Sequence, residues 1–287
     1  MPTTPTPAPE VQAKSRPRMS TRNRLLFFAT GWLIVLMPFL FWWNTWFGRH
    51  LSNHEISQYL RDDNHPRHIQ HALVQVGERM SHHDPAISDW YSDLVRLASY
   101  RVEEVRNTDA WVMGQDTSGT GFHQALLGML HDPALTVRGN AALSLVRFGD
   151  ATGRPQIAEL LQPAVIPSPE SGKLIDAALA GTAIHQDGTI AKLQDENGNK
   201  TEIRSPITGR LREVSVPIGQ NVAPGAQIAV VNPGTEQVWE ALRALYVVGQ
   251  TQDIADVLPY ERDIPEVPDR VREQAVETEK AIRSREK

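Results

Sequence analysis

The chain is 287 residues long, enough for one large domain or two ordinary ones. With 29 basic residues against 34 acidic ones it is mildly acidic, which offers no basic face for nucleic acid. It has no cysteine, so disulfides, thiolate metal sites, covalent c-type haem and cysteine nucleophiles are all excluded.

Residues 1–24 open on the Pro/Thr-rich MPTTPTPAPE and carry Lys14, Arg16, Arg18, Arg22 and Arg24 against Glu10. This is the composition of a disordered tail. The stretch LLFFATGWLIVLMPFLFWWNTWF, residues 25–47, has no charge, and about 20 apolar residues suffice for a helix to span a bilayer core. Membrane helices tolerate a proline such as Pro38, and Trp42, Trp43, Trp46 and Phe47 would form an interfacial belt. A cleaved signal peptide would have a shorter apolar core and a small-residue cleavage site; here bulky WWNTWFGRH follows. The expectation is an uncleaved single-pass anchor. The basic tail places the N-terminus in the cytoplasm, with the C-terminal domain on the periplasmic side of a bacterial inner membrane.

Beyond the anchor, four segments repeat: HIQHALVQVGERM (68–80), VRNTDAWVMGQD (105–116), VRGNAALSLVRFGD (137–150) and VWEALRALYVVGQT (238–251). Each reads as an apolar-periodic helix ending near a glycine: Gly77, Gly114, Gly149 or Gly249. Glycines there suit left-handed helix C-caps. Their spacings are 37, 35 and 100 residues, which is a helical-hairpin period followed by one period plus an insertion of about 64 residues. Second helices are expected at 122–132, 154–162 and 253–263, and further helices start at Val137-Arg138 and Val271-Arg272, with Val105-Arg106 in the same place earlier.

HDPALTVRGNAALSLVRFGD, residues 131–150, resembles the HEAT-repeat family through Asp132-Pro133, Val137-Arg138, Ala141-Ala142 and Leu145. Pro133 suits the first helical position. The resemblance implies a mainly α fold, a HEAT-like solenoid of antiparallel helix pairs over residues 51–163 and 236–287. Between them, residues 164–235 read as an inserted β module, entered through an exposed loop, QPAVIPSPESG (162–172). Within it Val214, Val216 and Ile218 alternate, as do Ile228 and Val230, and turns are expected at Asp187-Gly188, Asn197-Gly198, Thr208-Gly209 and Pro224-Gly225. Ser205-Pro206, Gly209, Val214, Val216, Gly219, Val222, Gly225 and Ile228 resemble the biotinyl/lipoyl family, whose half-motif efflux-pump adaptors share. The resemblance implies an all-β hybrid domain of two halves related by a pseudo-twofold. Only the second half matches well; the first, read at 181–198, matches poorly. In that family the modified lysine tips a hairpin; the equivalent position here is Gly198, with Lys200 displaced onto a strand. No carried cofactor is expected.

Other chemistry is sparse. His65, His68 and His71 stand at i, i+3 and i+6, and the first two could share a helix face and hold a metal. The plainer expectation is a solvated face or repeat-end turn, with no metal ligand assigned. His82-His83-Asp84 is a second histidine-bearing stretch. GQDTSGTG (114–121) lacks a phosphate-loop lysine and reads as a turn. Trp90, Tyr91 and Trp111 are expected in the repeat core, and residues 270–287 as a solvated terminal helix. With no catalytic constellation, the expected function is a membrane-anchored, non-catalytic scaffold or accessory subunit that binds other membrane or periplasmic proteins. The alternatives are an efflux-type periplasmic adaptor and a metal- or cofactor-binding protein.

Overall fold

The computed structural model describes residues 20–46 and 49–285, the side chains at 24 and 40–46 excepted. Helix α1 (Thr21–Trp46) runs through Pro38. Its described apolar side chains are exposed all round, Leu25, Phe27, Trp32 and Val35 among them. Among the described residues no helix is long and apolar enough to cross a membrane. The expected 25–47 span continues past residue 39 into side chains outside the described set, and the aromatic belt lies there too. Most of the expected tail, residues 1–19, is also outside it.

From Leu51 onward the chain is a separate unit. Its helices pair as hairpins: α2 (Asn53–Leu60) with α3 (Pro66–Ser81), and α4 (Tyr91–Leu97), entered through a 3-10 turn, with α5 (Glu103–Met113). Then come α6 (Phe122–Met129) with α7 (Leu135–Arg147) and α8 (Arg154–Glu159) with α9 (Thr235–Val248), and last the short α10 (Ile254–Val257) with α11 (Asp269–Arg285). In α3 the buried Ile69, Ala72, Leu73, Val76 and Met80 fall at helical spacing. In α7 Val137, Ala141, Ala142 and Leu145 do the same. No hairpin can bury its apolar face alone, so successive second helices stack, α3 on α5, α5 on α7, α7 on α9 and α9 on α11. This is the HEAT-like array expected, with the pairing shifted by one helix: the repeated segments are the second helices of their hairpins, and the expected second helices at 122–132, 154–162 and 253–263 are the first helices of the next ones.

Hydrogen bonds mark the period. Ser144 Oγ donates to the Ala110 carbonyl, 34 residues back; Asn140 donates to Asn107, 33 back; Thr278 Oγ1 donates to the Leu242 carbonyl, 36 back. Across the insertion the separation jumps: Tyr260 donates to the Leu161 carbonyl and Arg154 to Asp253, each 99 apart. One period plus the inserted module accounts for the jump.

Of the four expected C-cap glycines, only Gly149 takes the left-handed conformation (φ 74). Gly77 lies inside α3, and a Cβ there would come 2.8 Å from the Trp111 ring. At Gly114 a Cβ would meet Ser144 Oγ at 2.3 Å and Ser144 Cβ at 2.6 Å. Gly249 is extended at φ −63, ψ 151. At Gly77 and Gly114, close approach of stacked helices, not a turn, excludes a side chain. Pro133 is likewise corrected: α7 begins at Leu135, and Pro133 sits in a turn where Asp132 Oδ1 accepts from Ala134 N at 2.9 Å. We expect Gly114→Val to lower stability by about 2–3 kcal/mol through overpacking. Gly128→Ala, with nothing within 4 Å of its Cβ, should raise it by about 0.8 kcal/mol. Urea unfolding curves read both.

The insertion opens between α8 and α9. Strands β1 (Ala164–Pro167), β8 (Gln227–Pro233), β6 (Gly209–Val214) and β3 (Ala183–Ile184) form one antiparallel sheet in that order. Strands β5 (Lys200–Arg204), β4 (Thr189–Gln194), β2 (Gly172–Ala177) and β7 (Asn221–Val222) form the other. Adding or subtracting four from each strand number turns one order into the other, so the two halves of the module, β1–β4 and β5–β8, are exchanged about a pseudo-twofold. The backbone repeats the relation bond for bond. Ser168 N donates to Ala226 O and Ser205 N to Gly188 O; Gly219 N donates to Leu174 O and Gly181 N to Leu211 O. Both serines are buried, and each hydroxyl donates to the carbonyl two residues on, at 2.6 Å. Left-handed residues pair as well: Gly181 with Gly219, Asp187 with Gly225.

Four expectations are corrected here. The supposed entry loop 162–172 contains β1 and the start of β2. The first half begins at Ala164, not 181, and is a close structural counterpart of the second. Gly209 opens β6 rather than sitting in a turn; a Cβ there would meet the Asn232 carbonyl at 1.9 Å. Val216 and Ile218 do not extend the strand: β6 ends at Val214, and Ile218 is exposed. The module is fastened to the array. Leu135 packs on its core, and Gln186 donates to Glu103 and Thr136 at 3.1 and 3.4 Å.

Candidate functional site

A cleft of about 370 Å³ lies between α7 and α9, with Trp111 of α5 at its side. Trp111, Leu143, Val146 and Val247 give it an apolar floor, and Asn140, Arg147, Glu240 and Arg243 stand around it. Trp111 was expected in the core. Its ring does cover Gly77, but it is 44% exposed. Trp90 is buried as expected, and Tyr91 packs partly buried against the core. Val247 and Tyr246 on α9 are 57% and 47% exposed. Arg147 donates to Gln115 Oε1 at 2.7 Å, and Arg243 lies 4.5 Å over the Trp239 ring. The first guanidinium is thereby held by a neighbouring amide and the second by an aromatic face. An exposed tryptophan flanked by aliphatic side chains and arginines has the make-up of a protein-docking surface. Helical spacing alone could not place Trp111 outside, because it follows Ala110 and precedes Val112, both fully buried.

The histidines divide. His65 caps α3 without a side-chain bond to it, and its Nδ1 lies 2.9 Å from Asp62. His68 Nδ1 lies 2.8 Å from the same carboxylate. These bonds hold the Asp62 carboxyl below its ordinary value, His65 contributing most. Tyr59 stacks on His68 at 4.4 Å. His71 is turned away and meets Gln75 at 2.9 Å. Asp62, in the turn after α2, was not foreseen; it stands three residues before His65 and six before His68, a signal available in the sequence. His83 is left-handed, and Asp84 caps the following 3-10 turn through Ala86 N. The turn 114–121 is held by Asp116, which accepts from Ser118 N at 2.9 Å and from the Tyr91 hydroxyl.

At the β4–β5 hairpin, Asp195 Oδ1 accepts from Asn197 N and Asn199 N. Gly198 is left-handed at φ 84. Lys200 starts β5 opposite Gln194, on the strand rather than at the tip.

No protein-family model matches the chain, and no curated protein does. Among solved structures, the chain is similar to the complex of CpcE and CpcF of phycocyanin lyase from Nostoc sp. PCC7120. Identity is 16% and the TM-score 0.43, over 84% of this chain and 68% of that one. It is also similar to a single-chain, multi-domain long-chain acyl-CoA carboxylase, at 14% identity and a TM-score of 0.24. That likeness covers 44% of this chain and 15% of the other. Likenesses this distant add nothing to the architecture read from the helices and strands themselves.

Proposed function

We propose that this chain is a single-pass, membrane-anchored, non-catalytic scaffold or accessory subunit of a bacterial inner-membrane complex. Its helical array and β module lie on the periplasmic side and bind protein partners. The observation that carries this reading is the exposed cleft of Trp111, Leu143, Val146 and Val247 on the stacked helices. Repeat arrays present such faces to partners. The uncharged 25–47 stretch supports the anchor.

The β module is a biotinyl/lipoyl-like fold that has lost its carrier role. Its exchanged strand order supports the fold. Gly198 at the hairpin tip and fastening to α5 and α7 speak against a swinging arm. An efflux adaptor would separate the two halves with a long helical hairpin; here a short turn joins β4 to β5.

Gentle-detergent purification of the full-length protein from native membranes, with mass spectrometry, tests the proposal. Stoichiometric recovery of subunits of one membrane complex is expected. The double substitution Trp111→Glu, Val247→Asp should cost at least about 2 kcal/mol of binding, a loss of roughly 30-fold. Recovery of the protein alone would contradict the scaffold reading.

A further inference from the structure

We propose that Asp62, His65 and His68 form a site for a divalent transition-metal ion of the zinc class, with coordination positions left open to solvent or to a partner. The two imidazole Nδ1 atoms converge on one carboxylate, and the three ligating atoms lie within 4.8 Å of one another. Two imidazoles and one carboxylate suit zinc, copper, nickel or cobalt rather than calcium or magnesium, which take oxygen.

The present Nδ1 to oxygen distances are 2.8–2.9 Å. Ligands sharing one ion at about 2.0–2.1 Å stand roughly 3.3 Å apart in a tetrahedral arrangement. Each nitrogen–oxygen separation therefore has to open by only about 0.5 Å. Both can do so, since the His65 and His68 side chains are 64% and 44% exposed. That exposure also leaves the remaining positions accessible.

Pre-formation sets this group apart from chance neighbours on a surface. The turn carrying Asp62 is braced by the next hairpin. Arg96 donates to the Asp63 carboxylate at 3.0 Å and to the Leu60 carbonyl at 2.6 Å. Tyr100 Oη and Arg101 both donate to the Asp63 carbonyl, at 2.8 and 3.0 Å. Arg61 forks onto Asp93. Tyr59, parallel to His68 within 11°, covers one face of that ring and leaves it free to slide in its own plane. Ligands held by such outer contacts bind more tightly than free ones. The site lies on a turn of the first hairpin, between α2 and α3, on residues that the proposed partner cleft does not use.

Untagged full-length protein, stripped with chelator and titrated with zinc chloride alone by calorimetry, tests the assignment. Cobalt substitution gives a visible-absorption readout of the ligand set. One equivalent of zinc is expected. Asp62→Asn, His65→Ala and His68→Ala should each weaken it by at least about tenfold, with circular dichroism unchanged. His71→Ala and His82→Ala should leave affinity unaltered. The assignment is overturned if zinc fails to bind saturably to the folded protein. It is equally overturned if binding survives loss of His65 and His68, or follows His71 or His82 instead.

Discussion

Asp109→Ala makes the protein more stable at neutral pH, and it removes a pH dependence that the wild type has. Asp109 is fully buried in α5, and among the described residues neither carboxylate oxygen has a hydrogen-bond partner. Burial drives its carboxyl well above the ordinary value of 3.8, opposed only by the charge of Arg96. Counting from the Val-Arg pairs, three residues after Arg106, the same place in later repeats holds Ala141 and Ala275, both fully buried. Alanine is therefore the residue this packing site already accepts. An unsatisfied buried polar group costs about 1–3 kcal/mol, the gain expected from the substitution. The sign follows from linkage. The folded state holds this proton more tightly than the unfolded chain does. The contribution of this group is thus most favourable below pH 3.8 and is lost as pH rises toward the folded value. Beyond that value the loss levels off. Denaturant unfolding of wild type and Asp109→Ala across pH 4–8 should give diverging midpoints, the variant being flatter. Parallel curves would contradict this.

Arg106→Ala has a large effect in the other direction. Arg106 forks onto Asp132 at 2.6 and 2.9 Å and donates to the Tyr100 carbonyl at 2.8 Å. Both side chains are mostly buried, 12% and 7% exposed. Removing the guanidinium strands a buried carboxylate, at a cost of about 3 kcal/mol. Burial alone would raise the Asp132 carboxyl, but the Arg106 bonds, the Ala134 amide and the charges of Arg106 and Arg138 together hold it below the ordinary value. The stabilisation is therefore present above the ordinary carboxylate value and is lost as pH falls through the lower folded one. Arg106→Lys should recover only part of the loss, because an ammonium cannot fork. The pair also explains the recurring Val-Arg. Arg138 repeats the role, donating to the Asp132 and Pro133 carbonyls and to Glu159.

The periodic elements were legible in the sequence because their signals are local. Ala with Leu or Val at helical spacing announced α3, α5, α7 and α9, and the jump in glycine spacing announced the insertion. The glycines misled because two different demands select the same residue. Gly149 meets a backbone angle; Gly77 and Gly114 meet a neighbouring helix, which the sequence does not show. The first half of the β module was missed for a related reason. Ser168-Pro169 and Gly172 stand 37 residues before Ser205-Pro206 and Gly209, and Gly181 stands 38 before Gly219. Proline and serine density at 162–172 suggested a loop and concealed that duplication. Asp62 escaped because it joins the histidines from across a turn, and Trp111 because it stands between the fully buried Ala110 and Val112.

The most direct test of the proposed function places a photo-crosslinking amino acid at position 111, in the full-length protein in native membranes. A second variant at the exposed Glu213 on β6 is the control. If the cleft between α7 and α9 is the docking face, irradiation yields a discrete adduct with one membrane-complex subunit from position 111 and none from 213. No adduct at 111, or the same adducts from both positions, would contradict it.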